Sequence, residues 1–326
     1  MNWPRFAWPR FATTLVIFLA GVGICALRFP VVLSGQVFGD LLTDSAALGI
    51  VVVGMTVVIV SGGIDLSVGA VTAFSAMFIA IAVERWRMSP WLAFGASAMI
   101  GSAFGALIGA GIHKLRTPPF ILTLAAMFLA RGACFVLSKD SIPIKQADYE
   151  RLSSFAVALP GGLNLSFVAL LMLAAFVGGG LLLHRTPWGA AVFAIGGDAR
   201  SADMMGVDVG RTTVSIYALS GLCASLGGIA LSIYTGAGYP LAAQGSELDA
   251  IAAVVIGGAL LSGGQGQMAG SFLGVLIQGL ILLYITFDGT LSSWWAKIIT
   301  GLLLFGFIAL QRLLVRFSSY FSPGKT

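Results

Sequence analysis

The stretch HRTPWGAAVFAIGGDARSADMMGVDVGRTT, residues 184–213, is one of two sizeable polar islands in an otherwise apolar chain. Gly196-Gly197 can break the chain, Asp198 can cap a helix that follows, and Gly206 can end it. A helix of about seven residues is marginal on its own. We therefore predict a short helix between Asp198 and Gly206 that docks against another body.

The composition around this island is that of an integral membrane protein. Of 326 residues, 58% are hydrophobic and 10% are charged, with a mean hydropathy of +0.98, whereas a soluble domain carries about 25% charged residues. The net charge of +5 fits the excess of Lys and Arg in cytoplasmic loops. Because the basic residues are not clustered with aromatic residues, we do not expect nucleic-acid binding.

Apolar runs of the length that a membrane-spanning helix needs, about 20 residues, recur along the whole chain. They predict an all-α polytopic membrane protein with about ten transmembrane helices, some of them short or discontinuous, in a single domain over residues 1–326. The predicted spans lie near 12–30, 42–61, 66–83, 91–112, 120–137, 165–183, 213–233, 248–261, 268–287 and 292–311.

The distribution of positive charge predicts the orientation in the membrane. More Lys and Arg residues fall on the side of the two termini than on the opposite side. Since cytoplasmic loops carry this excess, both termini and the 184–213 island are expected in the cytoplasm. The second polar island, residues 138–164, then forms a loop on the outer face.

Glycine patterns predict close packing and breaks in the helices. Two G-x-x-x-G series, Gly101/Gly105/Gly109 and Gly266/Gly270/Gly274, indicate helices in close contact. The similar strings SGGIDLSVGA at 61–70 and SGGQGQMAGS at 262–271 each place Ser-Gly-Gly between an apolar run and a new helix, which suggests an internal repeat.

Two strings resemble parts of nucleotide sites without their context. LSGGQ at 261–265 matches the signature of ABC ATPases, and GKT at 324–326 resembles the end of a phosphate-binding loop. That loop needs G-x-x-x-x-G-K-[ST] between a strand and a helix, and LSGGQ here lies between two apolar helices. We therefore predict no nucleotide, cofactor or metal site on this chain.

Asp65 is the most informative acidic residue, because it follows Gly62-Gly63 and precedes an apolar run. It can cap a helix at a broken span. Acidic residues at discontinuous helices also line the pathways of polar solutes. The two interpretations are compatible, and both are kept.

Arg131 and Lys297 lie inside predicted spans, where ionisable groups are costly and usually paired or functional. One interpretation is an ion pair with Glu247, Asp249 or Asp288. The alternative is an extracytoplasmic vestibule for a polar solute, although aromatic residues of a membrane belt would look identical. The residues that would line this pathway, together with Asp65, are Tyr234, Tyr239, Gln244, Glu247, Asp249, Trp294 and Trp295.

Strings spread over most of the chain resemble the permeases of bacterial monosaccharide ABC importers, in the ribose, xylose and galactose branch. They are VVVGMTVVIVSGGIDLSVGA at 51–70, FILTLAAMFLARG at 120–132, IGGDARSADMMGV at 195–207 and LDAIAAVVIGGALLSGG at 248–264. Three others are most similar to one of the two permeases of the galactofuranose importer: SIPI at 141–144, SIYTGAGYPLAAQGSELDAIAAVVIGG at 232–258 and FDGTLSSWWAKI at 287–298.

The resemblance implies a non-catalytic permease subunit of the bacterial inner membrane that imports galactofuranose, or a related hexose or pentose, by alternating access. It implies three protein partners: a second, different permease; a cytoplasmic ATPase with two fused nucleotide-binding domains that holds ATP and Mg; and a periplasmic sugar-binding protein. It also makes the short helix a coupling helix for the ATPase, with residues Asp198, Ala199, Arg200, Ser201, Ala202, Asp203, Met204, Met205 and Gly206.

Two other classes of protein compete with this interpretation. A secondary sugar transporter or facilitator would move its solute without any ATPase. A membrane-embedded transferase would need a catalytic constellation, and we find no Ser/His/Asp set and no paired carboxylates on a helix face within the membrane in this sequence.

Overall fold

The computed structural model describes residues 8–292 and 294–320, and most of them are helical. The α-helices of this part of the chain are α1 (Trp8–Arg28), α2 (Gly35–Asp44), α3 (Ala46–Val60), α4 (Val68–Glu84), α5 (Pro90–Leu115), α6 (Pro119–Leu137), α7 (Ala147–Ser154), α8 (Phe167–Arg185), α9 (Pro187–Gly197), α10 (Ala199–Met204), α11 (Val209–Thr235), α12 (Ser246–Ile256), α13 (Met268–Asp288) and α14 (Trp294–Tyr320). Short 3₁₀ turns occupy Pro30–Leu33 and Pro160–Gly162.

The prediction of an all-α polytopic membrane protein is confirmed. Within the described residues, six helices are long and apolar enough to cross a membrane, namely α1, α5, α6, α8, α11 and α13. The pair α2–α3, bent by 57°, makes a seventh span if it is counted as one. The figure of about ten is loose, because α4 and α12 have only 17 and 11 residues. The two termini, predicted to be cytoplasmic, lie outside the described residues.

The helix α11 forms the centre of the molecule and packs against α3, α4 and α5. The α3 sequence AALGIVVVGMTVVIV is apolar on every face, and Ile50–Val60 is buried throughout, as a helix that is apolar all round should be. The first G-x-x-x-G series brings α5 against α11: a Cβ at Gly105 would overlap the carbonyl oxygen of Tyr217. In the second, Gly270 and Gly274 of α13 lie against the backbone of α12.

Two short antiparallel strand pairs lie in and beside the 138–164 island. The hairpin of β2 (Ala156–Leu159) and β3 (Leu163–Ser166) belongs wholly to the island and its flank. β1 (Ile142–Pro143) pairs with β4 (Ala237–Gly238), which follows α11. The β1–β4 pair ties the island to the end of the central helix.

Burial also anchors this island through α7. The hydroxyl groups of Tyr149 and Ser232 are 2.6 Å apart, and Tyr149 is 2% exposed. Burial raises the pKa of Tyr149, with a smaller opposing effect of its hydrogen bond. The phenol therefore stays neutral and serves as a packing anchor for the island against α11.

Candidate coupling helix and substrate pathway

The short helix forms where the sequence predicts it, as α10. Asp198 adopts an extended backbone, and its Oδ1 accepts a hydrogen bond of 2.6 Å from the backbone N–H of Ser201. At the other end, Gly206 takes a φ of +86°, a conformation that favours glycine. Local sequence alone therefore determines where α10 begins and ends.

α10 projects from the protein surface. Among its six residues only Ala202 is buried, at 0% exposure, while Met204 and Met205 are 75% and 72% exposed. Methionine side chains are flexible and polarizable, which suits them to adaptable contacts with another protein. Arg200 and Asp203 are also exposed, so the helix presents an apolar tip flanked by both signs of charge.

The cap of α10 is insensitive to ordinary changes in pH. The backbone N–H of Ser201 and, to a smaller extent, its hydroxyl group donate hydrogen bonds to Asp198. These bonds hold the pKa of Asp198 below its usual value of 3.8. A carboxylate with a lowered pKa contributes its stabilisation above that range and loses it only as the pH falls through the folded-state pKa. Asp198 is thus charged, and caps the helix, at neutral pH.

Asp65 lies in the break between α3 and α4 and is 1% exposed. Its Oδ1 accepts from the backbone N–H of Ser67 at 2.9 Å and from the Ser67 hydroxyl at 2.6 Å. Its Oδ2 accepts from the hydroxyl of Ser220 at 2.7 Å. The cap position of α4 belongs to Ser67, and Asp65 accepts from the backbone N–H of that cap residue, not from an N–H of α4 itself. The prediction that Asp65 is a helix N-cap is therefore wrong. Its carboxyl group instead holds the turn before α4 and joins it to Ser220 of α11.

The amino ends of two discontinuous helices meet next to this break. A Cβ at Gly69, in the first turn of α4, would overlap Oε2 of Glu247 and lie 2.8 Å from the Ser246 hydroxyl oxygen. Both Ser246 and Glu247 begin α12. Glu247 Oε2 is buried and has no hydrogen-bond partner among the described residues. Half-helices whose amino ends converge inside a membrane are a recurrent feature of solute sites in transporters.

A cavity of about 430 Å³ opens between α2, α3, α12, α13 and α14. The residues that line it include Trp294, Lys297 and Asp249, and the last two form an ion pair. This pair agrees with the predicted pairing of Lys297. Asp44 and Gln278 also line the cavity, and Gln278 Nε2 donates to the backbone oxygen of Asp249 at 2.9 Å.

The other predicted pathway residues are spread around this cavity. Tyr234 adjoins it, because its hydroxyl donates to Asp44 at 2.9 Å. Tyr239 and Gln244 are exposed on the segment between α11 and α12, and Trp295 is 47% exposed outside the cavity. Asp65 and Glu247 lie apart from it, at the helix break. The structure therefore divides the predicted set into a cavity group, a break group and an exposed segment.

Arg131 does not form the ion pair that the sequence suggested. Its NH1 donates to the backbone oxygens of Pro240 and Ala242, at 2.8 and 2.9 Å. The guanidinium group thus donates hydrogen bonds to backbone carbonyl groups of the irregular segment before α12. These carbonyl groups lie outside any helix and have no partner within a helical backbone. Arg131 therefore has a structural role and holds that segment against α6.

Sequence reasoning missed Asp44, Ser220 and Gln278. Asp44 and Gln278 are polar residues within predicted apolar spans, and that position was a usable signal. Ser220 carries no such signal, because serine is common in membrane helices. Among the described residues, no group of three His, Cys, Asp or Glu side chains could hold a metal ion.

A helical membrane domain with interrupted spans, an open cavity that holds a few polar groups, and a projecting helix has the architecture of a transport permease. The family model for the permease component of branched-chain amino acid transport systems matches residues 37–308. The chain is 54% identical over 299 residues to the inner membrane ABC transporter permease protein YjfF of Escherichia coli (strain K12), covering 92% of this chain and 90% of that one.

Two further relatives are import permeases. The chain is 37% identical to the ribose import permease RbsC of Bacillus subtilis (strain 168), over 84% of both chains. It is 35% identical to the fructose import permease FruG of Bifidobacterium longum (strain NCC 2705), over 91% of this chain and 89% of the relative. No solved structure matches the chain.

The chain therefore belongs to this family of ABC transporter permeases, and the resemblance of its sequence to the permeases of monosaccharide ABC importers is confirmed. Subunits of this kind are non-catalytic and work with an ATPase and a periplasmic sugar-binding protein. The protein is accordingly a multi-pass protein of the inner membrane.

Proposed function

We propose that this chain is one of two different permease subunits of an ATP-driven importer for galactofuranose or a related hexose or pentose. The import permeases among its relatives support a monosaccharide substrate. The galactofuranose assignment rests on the strings at 141–144, 232–258 and 287–298. Both termini and α10 face the cytoplasm, and the 138–164 island faces the periplasm, in keeping with the distribution of positive charge.

The projecting α10 is the observation that carries the coupling role. Its exposed residues, with Met204 and Met205 at the tip, form a contact for a groove on a cytoplasmic ATPase whose two nucleotide-binding domains are fused. That partner holds ATP and Mg, and this chain needs no cofactor of its own. Asp198 caps the helix in advance of docking, so less conformational entropy is lost on binding.

The sugar route runs along the cavity group and the exposed segment. A volume of about 430 Å³ falls within the range of roughly 300–1,000 Å³ that small-molecule sites occupy. The Trp294 ring offers an apolar face, and Asp44, Gln278 and Lys297 offer hydrogen bonds to hydroxyl groups. Tyr239 and Gln244 are polar and exposed beside the amino end of α12, where a second permease would complete the pathway.

Transport then follows alternating access. Binding of ATP closes the ATPase and moves the docked α10 helices, which opens the permease pair towards the binding protein. Hydrolysis resets the inward-facing state. Energy enters through contacts of α10 that differ between the two states, as any two-state switch requires.

The test is the Met204→Asp/Met205→Asp variant in proteoliposomes that hold the ATPase, the second permease and the loaded binding protein. We expect normal membrane insertion, loss of ATP-driven sugar uptake, and an ATPase that no longer responds to the binding protein. The matched control is Met204→Leu/Met205→Leu, which keeps an apolar tip and should retain uptake.

Two results would overturn the proposal. Uptake by the double Asp variant at the control rate would remove α10 from coupling. Sugar uptake by this chain alone, without ATP or a partner, would instead favour the facilitator. The sugar is identified by competition: excess galactofuranose should abolish uptake of labelled substrate, and failure to compete would exclude it.

A further inference from the structure

Glycines from three Gly-Gly pairs that are far apart in the sequence meet at one point. Gly62-Gly63 follows α3, Gly196-Gly197 ends α9, and Gly263-Gly264 lies between α12 and α13. The backbone N–H of Gly264 donates to the carbonyl oxygen of Val60 at 2.8 Å. We call Val60, Gly62, Gly196, Gly263 and Gly264 the glycine junction.

The contacts in the glycine junction are between backbones. A Cβ at Gly196 would overlap the carbonyl oxygen of Val60 and lie 2.5 Å from the nitrogen of Gly264. A Cβ at Gly263 would lie 2.7 Å from the carbonyl oxygen of Gly196 and 2.8 Å from Cα of Gly62. Contacts below 3.0 Å to backbone atoms cannot be relieved by rotating a side chain. Side chains larger than hydrogen are therefore excluded from the centre of the junction.

The glycine junction connects α10 with both helix breaks. α10 begins two residues after Gly197, since only its cap Asp198 lies between them. Gly62 lies in the break after α3, which also contains Asp65. Gly263 and Gly264 lie in the loop that follows α12, the half-helix with Glu247 in its first turn. Close-packed backbones move together or separate, because packed interiors are not continuously deformable.

We propose that the glycine junction transmits the displacement of α10 to the two interrupted helix pairs, α3–α4 and α12–α13, and so couples the ATPase to the pathway. This inference rests on the proposed role of α10. It also assigns a role to the two Ser-Gly-Gly strings and to LSGGQ, whose glycines form this contact instead of a nucleotide site. Gly196 acts as a positioning residue, since its missing side chain lets α9 reach α3.

The experiment compares Gly196→Ala with Gly197→Ala in the full complex with ATPase, second permease and binding protein. A Cβ at Gly197 meets nothing within 4 Å, so this neighbour is a matched control. We expect Gly196→Ala to lower ATP-driven uptake by roughly tenfold, within the range of mutations that alter coupling, and to weaken the stimulation of the ATPase. Gly197→Ala should match the wild type.

A cross-link separates this inference from the proposed function. A cysteine in the Met205→Cys variant should cross-link to the ATPase equally in the wild-type and Gly196→Ala backgrounds, which shows that docking is intact. Absence of the cross-link in both backgrounds would instead refute the coupling role of α10. Equal uptake and equal stimulation by the two alanine variants, with docking intact, would overturn the inference.

A second measurement applies if Gly196→Ala does not fold. Spin labels at Gly197→Cys and Ser61→Cys report the separation across the junction in the otherwise native complex. The distance between them should stay constant on ATP binding, while the distance from Gly197→Cys to Asp140→Cys on the outer island changes. A change across the junction itself would overturn the inference.

Discussion

Replacing Asp65 should destabilise the protein strongly, because this carboxyl group joins the start of α4 to the central helix α11. It accepts three hydrogen bonds, two from Ser67 and one from Ser220, and both donor residues are at most 2% exposed. A hydrogen bond contributes about 0.5–1.5 kcal/mol, and an orphaned buried donor costs about 1–3 kcal/mol. The hydroxyl groups can turn to other acceptors, so we expect Asp65→Ala to cost about 3–5 kcal/mol.

Asp65→Asn should cost less, because an amide keeps the shape of the carboxyl group and one acceptor oxygen. We expect a loss of about 1–2 kcal/mol, because one of the two acceptor oxygens is replaced by an amide nitrogen. The assay is thermal unfolding of the detergent-solubilised protein at one fixed scan rate, with Tm ordered as wild type, then Asn, then Ala. The fixed rate matters because large proteins often unfold irreversibly.

The partner residue provides an internal control through a double-mutant cycle. Ser220→Ala alone should lower Tm, but the Asp65→Ala/Ser220→Ala variant should be scarcely less stable than Asp65→Ala, since the bond is already lost. Equal Tm values for wild type and Asp65→Ala, or fully additive effects in the cycle, would refute the reasoning. Uptake by Asp65→Asn then separates the roles: a folded, inactive variant places Asp65 in the pathway, and an active one leaves only its structural role between the start of α4 and α11.

Three further predictions follow from other contacts. Gly105→Ala should lower Tm, because its Cβ would lie 2.8 Å from the carbonyl carbon of Tyr217 and overpacking costs about 1–3 kcal/mol. The control Gly95→Ala, whose Cβ would meet nothing within 4 Å, should leave Tm unchanged. Equal Tm values for the two variants would contradict the packing of α5 on α11. Lys297→Met should lower uptake, because it removes the positive charge that pairs with Asp249 in the cavity, and wild-type uptake would remove Lys297 from the pathway. Asp198→Ala should weaken the response of the ATPase to the binding protein, whereas Asp198→Asn should preserve it because asparagine also caps helices. Since the pKa of Asp198 is lowered, α10 should keep its cap, and the wild-type response should persist, between about pH 8 and pH 5.

Much of the fold and one part of the site are written in local sequence. The apolar runs predicted the helices, and Ser-Gly-Gly at 61–63 and 262–264 predicted the two breaks. Asp198 and Gly206 predicted both ends of α10. These features depend on residues within one or two turns of each other, since capping, turn formation and lipid exposure are decided by neighbouring residues.

The meeting of distant residues was decided by the tertiary structure alone. Asp65 pairs with Ser220, Gly196 touches Val60 and Gly264, and Arg131 binds carbonyl groups of the segment before α12 instead of an acidic residue. A helix that is apolar on every face, such as α3, carries no periodic signal that says which neighbour it will contact. In a membrane protein the fit of small residues and backbones selects the partner. For that reason the sequence alone predicts where these helices break, and only their packing reveals that the breaks touch each other and the base of α10.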